Sequence, residues 1–306
     1  MELKWLDDYI ALIETGNFSE AAERRHVSQP AFSRRIQMLE TWLGVTLIDR
    51  ARKPLQFTQV AKDKQPEFGK LVARIYEFRA MLKAESLDSG GITIAAQHTL
   101  AASYVPGFLN RLRQHEPDQN YRIQSANRNE IVTMFTRGDA EILITYDAPH
   151  APVNLPAQLA SRYVLGQDEL VLVASPQLHK VLTAVAEGDR VPMLCYPVES
   201  FFGQAVRAKA LPELMRRQQV VVRCVSEFAM GLRELALVGQ GAAWLPASLI
   251  HDDLAQGRLL TLPRLGQSVS MDIVVFCALL AGERGLSLRH IFDQLIQPQN
   301  TNSNEA

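Results

Sequence analysis

Residues 27–40 read VSQPAFSRRIQMLE and constrain the fold of this chain more than any other stretch. Pro30 has no N–H to donate, so it fits the first turn of a helix and hardly anywhere deeper. The pattern predicts a helix that is capped near Ser28 or Gln29, runs to about Leu43 and stops at Gly44. Its apolar side chains recur at helical spacing, at Phe32, Ile36, Leu39 and Leu43. Because polar and basic side chains occupy another face, this helix has a shape that enters a DNA major groove.

Two further helices are predicted before it. The first, over residues 5–13, places four apolar side chains on one face, namely Leu6, Tyr9, Ile10 and Ile13. Asn17 or Ser19 can cap the second, whose two alanines allow the next helix to approach closely. The order of these elements predicts a helix-turn-helix. An ordinary helical hairpin with solvated arginines is the alternative at this point.

The basic charge of the chain is local. The formal net charge is −1, which does not suit a protein that binds polyanions with its whole surface. Residues 17–62, however, hold eight Lys and Arg residues against four Asp and Glu residues. This excess predicts a basic surface with salt-dependent affinity for phosphate on that segment alone.

Residues 17–50 resemble the N-terminal winged helix-turn-helix of LysR-type transcriptional regulators. The matching positions are Phe18, Ala21, Ala22, Ser28, Gln29, Pro30, Ser33, Ile36, Leu39, Glu40, Leu43, Gly44, Leu47 and Arg50. The resemblance implies sequence-specific binding to double-stranded DNA at an inverted-repeat operator, with RNA polymerase as a possible partner. The residues that it implies in DNA contact are Ser28, Gln29, Pro30, Ser33, Arg34, Arg50, Arg52 and Lys53.

The resemblance also implies that residues 45–58 form the wing, a short β hairpin. Four apolar side chains are expected to point inward from it, those of Val45, Leu47, Leu55 and Phe57. The sequence departs from the family just afterwards, because TQVAK replaces the usual Thr-x-Ala-Gly. Thr58 is still available to cap the next helix.

A long helical pattern covers residues 59–85. Its apolar stripe is narrow and consists of Phe68, Leu71, Val72, Ile75, Phe78 and Leu82. Such a stripe predicts a partner helix, and the resemblance implies a linker helix that pairs antiparallel in a homodimer. The alternative is that this face packs on its own chain. Pro66 lies inside the pattern and could kink the helix.

The remainder of the chain alternates strands and helices after a hinge at residues 86–91, which predicts an α/β fold with a mostly parallel sheet. The resemblance implies a two-lobed, periplasmic-binding-protein-like (type 2) effector domain with crossovers near Leu165 and Leu265. The expected boundaries are 1–58 for the winged helix-turn-helix, 59–88 for the linker helix, 91–297 for the effector domain and 298–306 for a disordered tail. Within the effector domain, lobe I covers 91–165 and 266–297, and lobe II covers 166–265. A last helix is expected over residues 286–296, and tetramers are expected to form through effector domains.

Small ligands bind at the carboxyl ends of strands in such domains. Four places there supply the candidate effector-binding residues, which are Gln97, His98, Thr99, Asn127, Arg128, Tyr196, Phe201, Phe202, Ser226 and Glu227. Helix N-termini, hydroxyls and one arginine favour a small carboxylate or an amino-acid-like effector. Thr99 and Ser226 are expected to be helix N-caps in any case. The structural alternatives are a His98 that satisfies a buried backbone group, an Arg128 that is a surface charge, and phenylalanines that belong to the core.

Other classes of protein fit less well. The sequence has no Gly-rich phosphate loop, no histidines at metal-binding spacing and no activated nucleophile, so neither an enzyme nor a cofactor is expected. Cys195, Cys224 and Cys277 are far apart in apolar runs and are expected to be buried, reduced thiols. The N-terminus lacks the character of a signal peptide and no run reaches membrane-spanning length, which predicts a cytoplasmic protein and argues against a secreted solute receptor.

Two stretches, IAAQHTLAASYVP and GQGAAWLP, resemble a branch of the family with both amino-acid-responsive and hypochlorite-responsive members. The hypochlorite response of that branch works through methionine oxidation. Met134, Met215 and Met230 are the methionines considered for such a role here, because oxidation makes an apolar side chain polar. Sensing of a small ligand is the main prediction, and redox sensing is the alternative.

Overall fold

The computed structural model describes residues 2–25, 27–50, 55–86, 91–153, 155, 160–278 and 290–293. The chain divides into two compact units, Met1–Ser86 and Leu87–Ala306. Several expectations concern residues outside the described ranges: the wing residues Arg52 and Lys53, most of the hinge, most of the last helix and the tail from residue 298. None of the described helices combines the length and apolar character that a bilayer crossing requires.

The N-terminal unit is helical with a short hairpin. Its elements are α1 (Leu3–Thr15), α2 (Phe18–Arg24), α3 (Gln29–Leu43), β1 (Ile48–Asp49), β2 (Gln56–Phe57) and α4 (Gln59–Ser86). One core joins all three short helices to the hairpin and to the first half of α4. The helix-turn-helix prediction is therefore confirmed. The alternative, an ordinary helical hairpin with solvated arginines, is not.

Local capping explains where these helices begin and end. The Asn17 side chain accepts hydrogen bonds from the N–H groups of Ser19 (2.8 Å) and Glu20 (3.4 Å) and so begins α2. Ser28 is the N-cap position of α3, with proline in the first turn. Gly44 ends α3 with φ of 71°, a left-handed conformation that glycine adopts without steric cost.

The wing hairpin pairs Ile48 with Phe57 and Asp49 with Gln56. Leu47 is buried, and Leu55 and Phe57 pack against the core as expected. The expectation for Val45 is wrong: this side chain is 42% exposed. It lies in the bend between Gly44 and β1, outside the pairing that turns alternate side chains inward.

Helix α4 begins at Gln59, where the Thr58 hydroxyl accepts a hydrogen bond from the Ala61 N–H at 3.3 Å, and it continues through Pro66. Its apolar stripe divides into two groups. Phe68, Val72 and Ile75 pack on the core of their own unit. Leu71, Phe78 and Leu82 are 48%, 60% and 51% exposed. Packing on its own chain therefore accounts for the first group and leaves the second uncovered.

The C-terminal unit contains a nine-stranded sheet among its described residues. Its strands are β3 (Ile92–Gln97), β4 (Tyr121–Ala126), β5 (Ile142–Asp147), β6 (Ala160–Ala174), β7 (Arg190–Cys195), β8 (Gln219–Val225), β9 (Ala242–Pro246), β10 (Leu260–Thr261) and β11 (Val269–Ala278). Its helices are α5 (His98–Ser103), α6 (Val105–His115), α7 (Arg128–Thr136), α8 (Pro176–Leu182), α9 (Phe201–Lys209), α10 (Leu211–Arg217), α11 (Ala229–Leu237) and α12 (His251–Ala255).

The strand order is β4-β3-β5-β11-β6-β9-β7-β8, with β10 beside β6. Strands β3, β4 and β5 run parallel and form the sheet of the first lobe, and β7, β8 and β9 do the same in the second. Strands β6 and β11 join the two lobes and run antiparallel to each other and to their neighbours. The sheet is therefore mixed, and the expectation of a mostly parallel sheet is wrong, because two long strands make the crossovers.

The pairing of these two strands is interrupted at one crossover. Ile273 pairs with Gly166 and Val274 with Val164, so Leu165 is an extra residue on β6. A bulge of this kind bends its strand and increases the local twist. The crossover predicted near Leu165 coincides with this bulge.

Two helix boundaries in the second lobe differ from the sequence prediction. The single helix expected near residues 204–217 is two helices, α9 and α10, because Pro212 lies in the first turn of α10 and cannot continue a helix from α9. Helix α11 begins at Ala229 instead of Glu227. The Ser226 hydroxyl accepts a hydrogen bond from the Phe228 N–H at 3.1 Å and is not the N-cap.

Candidate functional site

The N-terminal part of α3 presents an accessible polar edge. Ser28, Gln29, Pro30 and Arg34 are exposed, and Ser33 is half-buried. The opposite side of the helix is anchored, since the side chains of Phe32, Ile36 and Leu39 are completely buried. This geometry leaves five of the predicted DNA-contacting residues at or near the surface on one rigid element.

A buried carboxylate binds two of the arginines of this unit and leaves Arg34 unpaired among the described residues. Asp8, on α1, is fully buried and accepts a hydrogen bond from Arg25 Nε at 2.7 Å, and it lies 3.3 Å from Arg35 Nη1. Arg25 and Arg35 are therefore held inside the unit. Arg34 makes no ion pair with any residue that the structure describes, so its charge faces outward. The charge count of the segment could not separate these arginines, because the role of Asp8 depends on tertiary packing.

The predicted wing residue Arg50 forms an ion pair with α3. Its Nη2 donates to Glu40 Oε2 at 2.8 Å, and its side chain is 41% exposed. The other oxygen of Glu40 accepts from the N–H groups of Leu47 (2.8 Å) and Ile48 (3.0 Å). Glu40 thus fixes the start of the wing relative to α3.

The C-terminal unit contains a cavity of about 470 Å³ between the strand ends of its two lobes. Eight of the ten candidate effector residues line it: Gln97, His98, Thr99, Asn127, Arg128, Phe201, Phe202 and Glu227. Tyr196 and Ser226 do not. Glu199, Gln204 and Phe228 also line the wall and were missed, as were Asn129 and Glu130, because no sequence motif marks residues that only tertiary structure brings together.

Gln97 and Thr99 bring unpaired polar groups to the floor of the cavity. Gln97 is 7% exposed, and its Oε1 accepts hydrogen bonds from Thr145 Oγ1 (2.6 Å) and from the Tyr146 N–H (2.7 Å). This fixes the amide, so its Nε2 can only donate elsewhere. Thr99 is 5% exposed and makes no hydrogen bond to any described residue. It lies inside α5 after the N-cap position Gln97, so the expectation that it caps the helix is wrong.

His98 and Phe228 face each other across the two lobes. Their rings meet edge to face with centroids 5.8 Å apart, and both side chains are exposed. His98 therefore does not satisfy a buried backbone group. The pair forms one side of the cavity wall.

Arg128 is a partly buried cation and not a surface charge. Its Nη2 donates to the Ala151 carbonyl, its guanidinium lies 4.7 Å from the centre of the Phe201 ring, and Asp147 Oδ1 is 3.9 Å away. Its Nε is buried with no hydrogen-bond partner among the described residues. Burial lowers the pKa of Arg128 to about 10, and the Asp147 carboxylate only partly opposes this shift. An under-compensated guanidinium of this kind favours an anion.

The aromatic pair of the second lobe belongs both to the core and to the cavity wall. Phe201 and Phe202 are 8% and 6% exposed and both pack on Tyr146 of the first lobe, at centroid distances of 6.2 Å and 5.4 Å. Tyr196 packs behind Phe202 at 5.1 Å. Its hydroxyl has no partner among the described residues, and burial raises the pKa of this phenol.

A second buried carboxylate ties the lobes together next to the cavity. Asp168, on the crossover strand β6, accepts from the Tyr146 hydroxyl at 2.7 Å and from the Ser248 hydroxyl and N–H. Ser248 Oγ also lies 3.0 Å from Ser103 Oγ of the first lobe. Burial and the neighbouring Asp168 raise the pKa of Tyr146, so this phenol stays a donor. Asp168 was not among the sequence candidates.

The methionines differ in accessibility. Met215 is 60% exposed, whereas Met134 and Met230 are half-buried. The C-terminal unit also contains Met193 and Met271, which are buried. None of the three cysteines forms a disulfide within the described residues; Cys277 is buried and the other two are half-buried, and burial raises the pKa of Cys195.

Comparison with known proteins assigns both units to one family. Residues 3–62 match the family described as bacterial regulatory helix-turn-helix protein, lysR family. Residues 85–295 match the LysR substrate binding domain. The regulator YjiE of Escherichia coli K12 is 29% identical over 267 residues, which are 86% of this chain and 84% of that protein.

Solved structures give the same result over the full length. HypT of Salmonella typhimurium, a hypochlorite-specific LysR-type regulator, is 26% identical with a TM-score of 0.56, over 96% of this chain and 98% of that chain. DarR of Vibrio fischeri, solved in complex with DNA, is 26% identical with a TM-score of 0.54, over 97% and 99% of the two chains. This protein belongs to the LysR family of DNA-binding transcriptional regulators.

Proposed function

We propose that the protein binds an inverted-repeat operator through the exposed edge of α3 and its wing, and that a small carboxylate or amino-acid-like effector in the inter-lobe cavity alters DNA binding or bending. The observation that carries the effector proposal is the donor set on the cavity wall. Gln97 Nε2, Thr99 Oγ1 and Arg128 Nε each lack a hydrogen-bond partner among the described residues. Arg128 Nε is also buried, which makes its missing partner costly, and a carboxylate in the cavity would accept from the donors on this wall.

The DNA contacts proposed are those of Ser28, Gln29, Pro30, Ser33 and Arg34 on α3 and of Arg50, Arg52 and Lys53 on the wing. Exposure of the α3 residues supports the first group. DarR, a relative of this chain, was solved in complex with DNA, which supports DNA binding by a chain of this fold. Glu40 would have to share Arg50 with a phosphate, because the two residues form an ion pair.

We further propose a homodimer through α4. The exposed side chains of Leu71, Phe78 and Leu82 support this, since they lie on one face of the helix and are left without cover on their own unit. Tetramers through the effector domains are proposed as in the sequence prediction.

A thermal-shift screen of amino acids and small organic acids tests the effector proposal. A ligand at a hundredfold excess over its Kd stabilises the native state by about 2.7 kcal/mol, which should raise the Tm of the C-terminal unit by about 5 °C or more. Thr99→Ala should abolish the shift. Thr183→Ala is the matched control, because this exposed threonine of the second lobe does not line the cavity, and it should keep the shift. A hit that survives Thr99→Ala unchanged would contradict the proposed site.

Redox sensing is the second candidate, and similarity to the hypochlorite-specific HypT favours it. Half-buried Met134 and Met230 are the better placed methionines, because oxidation there would disturb packing, whereas exposed Met215 can be oxidised at little structural cost. No shift with any ligand, together with altered DNA affinity after mild hypochlorite treatment, would favour this candidate. The response should then disappear in the triple variant of Met134, Met215 and Met230.

A further inference from the structure

The two lobes contribute opposite charges to the cavity wall. The first lobe contributes Arg128, whose Nε is buried without a partner. The second lobe contributes Glu199 and Glu227, which are exposed and make no side-chain hydrogen bond or ion pair with any described residue. The two glutamates directly precede the N-cap residues of α9 and α11, so these two helix starts hold them at the cavity.

Acidic charge exceeds basic charge on this wall. The wall includes one arginine, Arg128, and three glutamates, which are Glu199, Glu227 and Glu130. Glu130 is already engaged, since its carboxylate accepts from the Asn127 N–H at 3.3 Å in a capping box at the start of α7. Glu199 and Glu227 are thus the carboxylates left for a ligand.

Glu199 and Glu227, here called the acidic rim, are not the only indication of a ligand. Thr99 and Gln97 are at least nine-tenths buried, line the same cavity and carry polar groups without partners among the described residues. These groups lie with Arg128 in the first lobe and suit a carboxylate. A ligand with a carboxylate and a single ammonium group would neutralise Arg128 and one glutamate only.

We propose that the effector carries one carboxylate and at least one more cationic than anionic group, as a basic amino acid does, and that it bridges the lobes. This inference rests on the proposed effector function of the cavity. The carboxylate binds Gln97, Thr99 and Arg128 of the first lobe, and the cationic groups bind Glu199 and Glu227 of the second. A ligand with charges at both ends contacts both lobes at once, so it stabilises one inter-lobe arrangement over others.

Four probes of similar length separate the contributions of the two ends: L-lysine, L-norleucine, L-glutamate and cadaverine. Norleucine lacks the side-chain amine of lysine, glutamate reverses its charge, and cadaverine lacks the carboxylate. Isothermal titration calorimetry of the full chain should give a Kd for lysine that is at least about tenfold lower than the Kd for each of the other three probes. Equal or tighter binding of norleucine or glutamate would overturn the inference and leave the effector function standing, and equal binding of cadaverine would overturn the bridging role of the carboxylate.

The Glu199→Gln/Glu227→Gln double variant tests the acidic rim directly. It should bring the Kd for lysine to within about twofold of that for norleucine while leaving norleucine binding unchanged. Glu187→Gln is the matched control, an exposed glutamate of the same lobe that does not line the cavity, and it should keep the preference. Retention of the full preference by the double variant would overturn the inference. Absence of binding by all four probes would overturn it too, and the wider ligand screen would then decide the effector function separately.

Discussion

Adjacent arginines on α3 illustrate how a single buried group decides the role of a residue. Arg35 faces the fully buried Asp8, whereas Arg34, one position earlier, points away from the core. The side chains differ by about 100° around the helix axis. One therefore stabilises the unit and the other is available to DNA.

Alanine substitutions should separate these two roles. Arg35→Ala removes one partner of a buried carboxylate and should lower the free energy of unfolding of the N-terminal unit by about 1–2 kcal/mol. Arg34→Ala should leave that stability unchanged and weaken operator binding by about 1–3 kcal/mol. Thermal denaturation and fluorescence anisotropy measure the two effects. Unchanged operator binding in Arg34→Ala would contradict the assignment of the recognition helix.

Gly203 lies in the first turn of α9, directly after the aromatic pair, and allows the preceding loop to approach the helix closely. A Cβ at this position would lie 1.8 Å from the Pro197 carbonyl oxygen, which the backbone cannot accommodate. Gly203→Ala should therefore destabilise the C-terminal unit by at least about 2 kcal/mol. Gly107→Ala is the control, because a Cβ there meets nothing within 4 Å, and it should be neutral or slightly stabilising. Denaturant titration compares the two, and equal stability would refute the clash.

His150 should make the C-terminal unit sensitive to acid. Both ring nitrogens are buried, and burial lowers the pKa of this imidazole, a shift that the Phe201 backbone only partly opposes. Between the folded and unfolded pKa values the unfolded chain binds more protons, so stability falls as pH drops below about 6.5. His150→Phe, which keeps an aromatic ring against Phe201, should flatten this decline. Melting curves between pH 5 and pH 8 test it, and a decline that stays as steep in His150→Phe as in the wild type would contradict it.

At the scale of elements, the apolar stripe of α4 has a buried part and an exposed part. Its first apolar group completes the core of the N-terminal unit, and its second is exposed. Phe78→Glu should therefore convert dimers to monomers in analytical ultracentrifugation without loss of helix content. Gln65→Glu adds the same charge on the other side of the helix and should leave the dimer intact. Dimers that tolerate the charge at Phe78 would exclude this face as the interface.

Elements governed by local chemistry could be predicted from the sequence. Pro30, Asn17 and Gly44 act within one turn of chain, so the ends of α2 and α3 follow from them. The antiparallel pairing of β6 with β11 joins residues about a hundred positions apart, and no local pattern encodes it. The same limit applies to the cavity: strand ends identified Gln97 and Arg128, whereas Glu199 and Phe228 reach the wall only through the packing of the two lobes.

At the scale of the whole molecule, Asp168 adds a buried polar link between the lobes to their two crossover strands. It lies on a crossover strand and accepts hydrogen bonds from Tyr146 of the first lobe and Ser248 of the second. A ligand that contacts both lobes would act on an arrangement that this carboxylate already holds. Coupling between the cavity and DNA is thermodynamically reciprocal, so an effector that changes operator affinity must itself bind differently when DNA is present.

The affinity for an operator with and without effector tests the account most directly. The operator would be selected from a random duplex library, and its Kd measured by fluorescence anisotropy with the strongest ligand from the screen. We expect saturating ligand to change the wild-type Kd at least about fivefold, a coupling of about 1 kcal/mol. Thr99→Ala should bind the operator as the wild type does and show no change at the same ligand concentration. A wild-type Kd that stays the same with the cavity saturated would contradict the claim that the cavity controls DNA binding.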